Sequence, residues 1–98
     1  MEPLYTRYIQ ETFGPDGQVT DWHYHYEDNF NYAYDIIDTM AAAEPWRLAM
    51  LWRNDRGAEL KLTLEDLSVM SNRMANLFRS HGLKRGDVIL TALRSHWS

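Results

Sequence analysis

Few residues in this chain could carry chemistry, and they fall in separate stretches. In Trp22-His23-Tyr24-His25-Tyr26-Glu27-Asp28 two imidazoles and a carboxylate recur at every second position. On an extended backbone His23, His25 and Glu27 point the same way. Imidazole and carboxylate ligands suit zinc, but a zinc site needs further protein groups fixed in space. The sequence supplies none nearby, so these residues read as packing or polar positions of an arm. A zinc titration without heat would remove the metal reading. Asp35 and Asp38 lie one helical turn apart and could converge, but carboxylates at that spacing ordinarily occupy a solvated helix face. Ser71 has no His and Asp placed by sequence to activate it. Met70 and Met74 read as core rather than as a binding surface.

Phosphate chemistry is also missing. The five glycines, Gly14, Gly17, Gly57, Gly82 and Gly86, form neither a phosphate-cradling G-x-x-x-x-G-K-[ST] loop nor a G-x-G-x-x-G turn. The lysines are Lys61 and Lys84, one on an expected strand and one in an expected turn. Arg85-Gly86-Asp87 spells an adhesion tripeptide, but Gly and Asp there read as turn residues leading into a strand. No residue is assigned a catalytic, cofactor-binding or metal role.

The elements around these residues follow from pattern. Pro3 to Phe13 is expected to be a short helix, with Pro in its first turn, where the missing N–H costs nothing. Leu4, Tyr8 and Ile9 would share one face. Gly14-Pro15-Asp16-Gly17 breaks it. Gln18 to Phe30, aromatic and polar without clear period, reads as an ordered loop or arm. A second helix starts at Asn31, whose side chain can cap free N–H groups. Ala33, Ile36, Ile37 and Met40 follow helical spacing, and Pro45 ends the run.

Leu48 to Arg53 reads as a strand, Asn54 to Gly57 as a turn, and Glu59 to Leu62 as the half-exposed return strand. Thr63 and Asp66 make a capping-box pair for a third helix. Its stripe of Leu67, Met70, Ser71, Met74, Leu77 and Phe78 is expected to be buried, with Gly82 as its stop. Lys84 to Asp87 forms a tight turn. Val88 to Leu93 then reads as a strand apolar on both faces, the texture of a parallel sheet. The fold class is α/β: helix, β-hairpin, helix, strand.

Composition bounds the function. Ninety-eight residues allow one small domain with a marginal core. There is no Cys, which excludes disulfides and thiolate chemistry. Net charge is -4. Residues 1–49 carry nine acids and two bases, and residues 50–98 carry five acids and eight bases. The acidic first half disfavours a nucleic-acid partner, which needs a basic face. The N-terminus shows no signal-peptide pattern, and no apolar run approaches the ~18 residues of a membrane span. A cytoplasmic location is expected.

Order and spacing add a resemblance. Phe30-Asn31-Tyr32-Ala33-Tyr34-Asp35-Ile36-Ile37-Asp38 resembles the FN-x-A-x-D-x-x-D segment of acyl-CoA synthetases, especially their medium-chain branch. Pro45 and then Ala49-Met50-Leu51-Trp52 look like that family's first strand. Thr63-Leu64-Glu65-Asp66-Leu67-Ser68, followed by Ser71-Asn72-Arg73-Met74-Ala75-Asn76, is similar to its T-[FY]-x-[ED]-L-S-x-x-S-N-x-x-A-N helix. Gly82-Leu83-Lys84-Arg85-Gly86-Asp87-Val88 looks like its G-[VL]-x-[KR]-G-D-x-V link, and Leu93 to Trp97 falls where relatives carry a basic-His-aromatic run.

The resemblance covers roughly Phe30 to Trp97. It implies an AMP-forming ligase several-fold longer, which adenylates a carboxylate with ATP and Mg²⁺ and passes the acyl group to CoA. The family's phosphate loop, adenine-binding motif, magnesium-binding acid and catalytic lysine match nothing here. The residue pattern sets residues 1–29 apart as an N-terminal helix and aromatic arm, and the resemblance implies residues 30–98 as part of an AMP-binding domain's N-terminal subdomain. On this reading the 98 residues bind no cofactor and are inactive alone. Their partner is the remainder of the synthetase, and by themselves they associate with further copies. The alternative is a stand-alone binding or assembly module of the same fold.

Overall fold

The structure is a computed structural model that describes residues 3–94. Its first element corrects the sequence expectation. Only Leu4–Arg7 coils, as a short 3₁₀ turn after Pro3, with Thr6 Oγ1 donating to the Pro3 carbonyl at 2.7 Å. The chain then becomes strand β1, Ile9–Phe13. It pairs antiparallel with β2, Val19–Tyr24, in the stretch expected to be an irregular arm. Ile, Thr, Phe, Val, Trp and Tyr are all strand formers. Gly14 to Gln18 closes the hairpin through Gly14 N donating to the Gln18 carbonyl at 2.9 Å, with Gly17 at a φ of 78°. Hairpin pairing prevails over a weak helical pattern because it satisfies the backbone of both stretches at once.

The second helix begins where expected and winds differently. Asn31 Oδ1 accepts from the backbone N–H of Ala33 and Tyr34 at 3.0 and 3.3 Å. Tyr32–Asp38 is π-helical and continues into α1, Thr39–Ala43. Glu44 ends the helix before Pro45, and its N–H still donates to the Met40 carbonyl at 2.8 Å.

A second hairpin follows as expected. β3, Leu48–Arg53, pairs antiparallel with β4, Glu59–Thr63. In the turn Asn54 Oδ1 accepts from the Arg56 and Ala58 N–H groups at 3.1 and 2.8 Å. The register sets Met50 opposite Leu62 and Trp52 opposite Leu60, so these four share one face. The other face carries the Arg53–Glu59 pair at 3.4 Å and the Lys61–Glu59 pair at 3.7 Å.

Helix α2, Leu64–Ser80, packs against β4, against β3 and against the π-helical turn. Its capping box is complete: Thr63 Oγ1 accepts from Asp66 N at 3.2 Å, and Asp66 Oδ2 accepts from Thr63 N at 2.9 Å. At the other end Leu83 N donates to the Phe78 carbonyl at 3.1 Å and Gly82 N to the Arg79 carbonyl at 3.0 Å. This is the paired bond of a Schellman ending, with Gly82 at a φ of 78°.

Two further expectations fail. The apolar stripe of α2 is covered only in part: Leu67, Met70 and Phe78 are half-buried, while Met74 and Leu77 are 49% and 48% exposed. Among the described residues the buried apolar ones are instead Ala41, Leu62 and Leu64, on α1, β4 and the start of α2. Val88 to Leu93 is not a strand. A strand exists only through a partner's hydrogen bonds, and among the described residues none pairs with it. It leaves the Lys84–Asp87 turn unpaired, with Val88 90% and Leu90 93% exposed.

The element order is therefore β-hairpin, helix, β-hairpin, helix, a mixed α and β chain with two small antiparallel sheets. It is open. The radius of gyration is 17.2 Å, against about 13 Å for a compact domain of this length.

Candidate functional site

Several of the chemistry-bearing side chains have a local structural task. Asp35 Oδ2 accepts from Asn31 N at 2.7 Å. With Asn31 Oδ1 accepting from Ala33 and Tyr34, this makes a reciprocal clamp at the helix start. Asp38 Oδ1, by contrast, accepts from Ser68 Oγ of α2 at 2.5 Å, a part-buried tie across 30 residues of sequence. The two carboxylates engage different partners and do not form an acid–base pair.

Ser71 Oγ donates to the Ser68 carbonyl one turn earlier, at 3.0 Å. Arg85-Gly86-Asp87 is a turn: Asp87 N donates to the Lys84 carbonyl at 3.0 Å, and Asp87 Oδ2 accepts from Lys84 N at 2.7 Å. Gly86, at a φ of 95°, takes a conformation that a β-carbon would oppose.

The imidazoles of β2 and its extension also separate. His23 Nε2 lies 3.5 Å from Asp21 Oδ2 on the exposed hairpin. His25 Nε2 lies 3.1 Å from Gln10 Oε1 on β1. Among the described residues no group of three or more His, Asp or Glu side chains gathers where it could hold a metal ion.

What the structure does assemble is apolar surface. A groove of about 480 Å³ runs between the 3₁₀ turn, the first hairpin and the π-helical turn, lined by Tyr5, Tyr8, Tyr24, Phe30, Tyr32 and Ile36 among others. Tyr8 and Phe30 brace it edge-to-face, with ring centroids 5.1 Å apart. Arg47 is the charged residue on its wall, and its Nη1 donates to Glu44 Oε2 at 3.0 Å. The groove holds no nucleophile poised against a base. Its chemistry is burial, with tyrosines among the lining residues that offer both an apolar ring and a hydroxyl.

Sequence reasoning did not find this groove because it missed the hairpin. The signal was present: two runs of strand-forming residues on either side of Gly14-Pro15-Asp16-Gly17.

Comparison with known proteins gives the constellation a context. No family model matches the chain. The 4-hydroxybutyrate–CoA ligase 1 of Metallosphaera sedula is 38% identical over 69 residues, covering 68% of this chain and 12% of that protein. The acetyl-coenzyme A synthetase of Shewanella oneidensis is 30% identical over 86 residues, covering 87% of this chain and 13% of that protein. A mitochondrial acyl-coenzyme A synthetase of Rattus norvegicus is 36% identical over 78 residues, covering 70% of this chain and 13% of that protein. The chain is thus similar to a short segment of acyl-CoA and acetyl-CoA synthetases, and the match spans about one eighth of the length of those relatives.

Proposed function

We propose that this chain is the N-terminal segment of an AMP-forming acyl-CoA synthetase, whose whole chain joins a carboxylic acid to CoA through an acyl-adenylate. The observation that carries the reading is the shared identity with three CoA ligases over 68–87% of the chain. The residues of the resemblance support it by having definite structural tasks. Asn31 and Asp35 close the start of the helix, Asp38 and Ser68 tie it to α2, Thr63 and Asp66 cap α2, and Gly82 ends it. The Phe30 to Asp38 run favours the medium-chain branch.

In this reading the segment is scaffold. Charge developing on a transferring phosphoryl or acyl group needs preorganised donors and usually a metal. Asn31, Asp35, Asp38, Thr63, Asp66, Ser68 and Asp87 are instead engaged in caps, ties and turns. ATP, Mg²⁺ and CoA are then bound by the remainder of the synthetase, which packs on this segment's open apolar faces. In this reading the 98 residues alone are inactive, and a cytoplasmic location for the whole enzyme is part of the proposal.

The test is a pyrophosphate-release assay on the purified chain with ATP, Mg²⁺ and a panel of fatty acids. The expected result is a signal equal to the buffer blank. Turnover above the blank that follows chain concentration would contradict the scaffold reading.

A further inference from the structure

We propose that the tip of the first hairpin is a self-modification site, where Asp16 and Gly17 close to a succinimide and reopen as an isoaspartyl link. The proposal does not rest on the synthetase reading. The reacting atoms belong to consecutive residues, so no other part of a longer chain supplies them. Of the fourteen acidic residues, Asp16 alone is followed by glycine, and no asparagine is. The pair matters because the backbone nitrogen of Gly17 is the nucleophile, and glycine has no side chain to crowd its approach.

The geometry of the loop favours this reaction. Asp16 Oδ1 accepts from Gln18 N at 3.3 Å, so the carboxyl folds forward over the Gly17 peptide that carries the attacking nitrogen. A β-carbon on Gly14 would meet that same Oδ1 at 3.0 Å, so glycine there leaves the carboxyl its place. A β-carbon on Gly17 would meet nothing within 4 Å, so the space around the nucleophile is open. One bond opposes the reaction: Gly17 N donates to the Gly14 carbonyl at 3.0 Å. That bond must open first, and at an exposed hairpin tip local opening costs little.

Gly17 N attacks Cγ of the protonated Asp16 carboxyl. A C–N bond forms, and the amide proton leaves with the carboxyl hydroxyl as one water. Water then cleaves the ring at the Asp16 main-chain carbonyl. The backbone now runs through the former side-chain carbonyl, and the α-carboxylate is left free. Water is the only co-reactant, and the product is an isomer of unchanged mass with an extra methylene in the main chain. That lengthening falls inside the closure in which Gly14 N donates to the Gln18 carbonyl at 2.9 Å. It lies beside the Phe13–Val19 pair, where the register already shifts. The product therefore loosens β1 and β2 and leaves the second hairpin as it is.

Incubation of the purified 98-residue chain at neutral pH and body temperature, sampled over weeks, tests this. The probe is an isoaspartyl-specific carboxyl methyltransferase with labelled S-adenosylmethionine, followed by peptide mapping. The expected label rises with time and lies on the tryptic peptide from Tyr8 to Arg47. A protease that cuts before aspartate should lose its cleavage at Asp16 in step with it. Hydrogen exchange should quicken in β1 and β2 and stay unchanged in β3 and β4. Asp16→Glu keeps the charge but demands a six-membered ring, and Gly17→Ala crowds the nitrogen, so each should lower the labelling rate at least about tenfold. Both are needed, because Gly17 has a φ of 78° and its variant also strains the turn. Label that fails to accumulate would overturn the proposal. So would label spread over the other aspartates, or a rate unchanged in Asp16→Glu.

Discussion

At the scale of single residues, polar side chains here close ends and join helices. Thr63 and Asp66 each satisfy the other's backbone N–H. Thr63→Ala is therefore expected to cost about 1 kcal/mol, and Asp66→Ala a similar amount. The double variant should cost less than the two single losses together, because either change breaks the shared box. Urea denaturation of the four proteins checks this, and strict additivity would mean the two bonds act independently.

Asp38 and Ser68 provide a second case. Ser68→Ala leaves a carboxylate without its donor and should cost about 1.5 kcal/mol. Asp38→Asn keeps an acceptor and should cost less than Asp38→Ala, and chemical denaturation again reads the order. Thr63 with Asp66, Gly82 and Asn31 were legible from the sequence, because caps and stops are local chemistry. The Asp38–Ser68 tie was not, since 30 residues separate its partners and no local rule pairs them.

Among the elements, the second hairpin and α2 follow their sequence patterns closely, and the first hairpin and the last stretch do not. Leu4, Tyr8 and Ile9 fit a 3.6-residue spacing, which predicts a helix through Phe13 where the chain forms a strand. The strand-forming composition on both sides of the Gly-Pro turn was the stronger signal. Val88 to Leu93 has a strand's texture, but texture alone makes no hydrogen bonds, and among the described residues the segment stays outside both sheets and exposed.

Burial along α2 also departs from the stripe, in a graded way. Leu64 is 4% exposed, Leu67 is half-buried and Leu77 is 48% exposed. Truncation to Ala should follow that order. Leu64→Ala should cost ~2–5 kcal/mol, as in a packed core, which would nearly unfold a domain of ~5–10 kcal/mol. Leu77→Ala should cost less than Leu67→Ala and approach a surface control such as Arg73→Ala. Melting temperatures decide it, and an equal fall for Leu64 and Leu77 would mean that the outer half of the stripe is buried after all.

The whole molecule is more open than its length requires, with extents of 49 × 40 × 29 Å. Its apolar surface lies in an aromatic groove, a half-covered helix and the exposed stretch Val88 to Leu93, all suited to burial against further chain. The same surfaces explain why the candidate site was only partly legible. Sequence patterns give elements, but which faces stay open depends on what those elements meet. The central claim is that these residues are a segment of a larger acyl-CoA synthetase, and the coding sequence downstream of the Ser98 codon tests it most directly. The account predicts an open frame continuing to roughly eight times the matched stretch, as in the relatives, and passing through a glycine- and hydroxyl-rich phosphate loop. A stop codon directly after Ser98 would contradict it and leave a stand-alone binding module in its place.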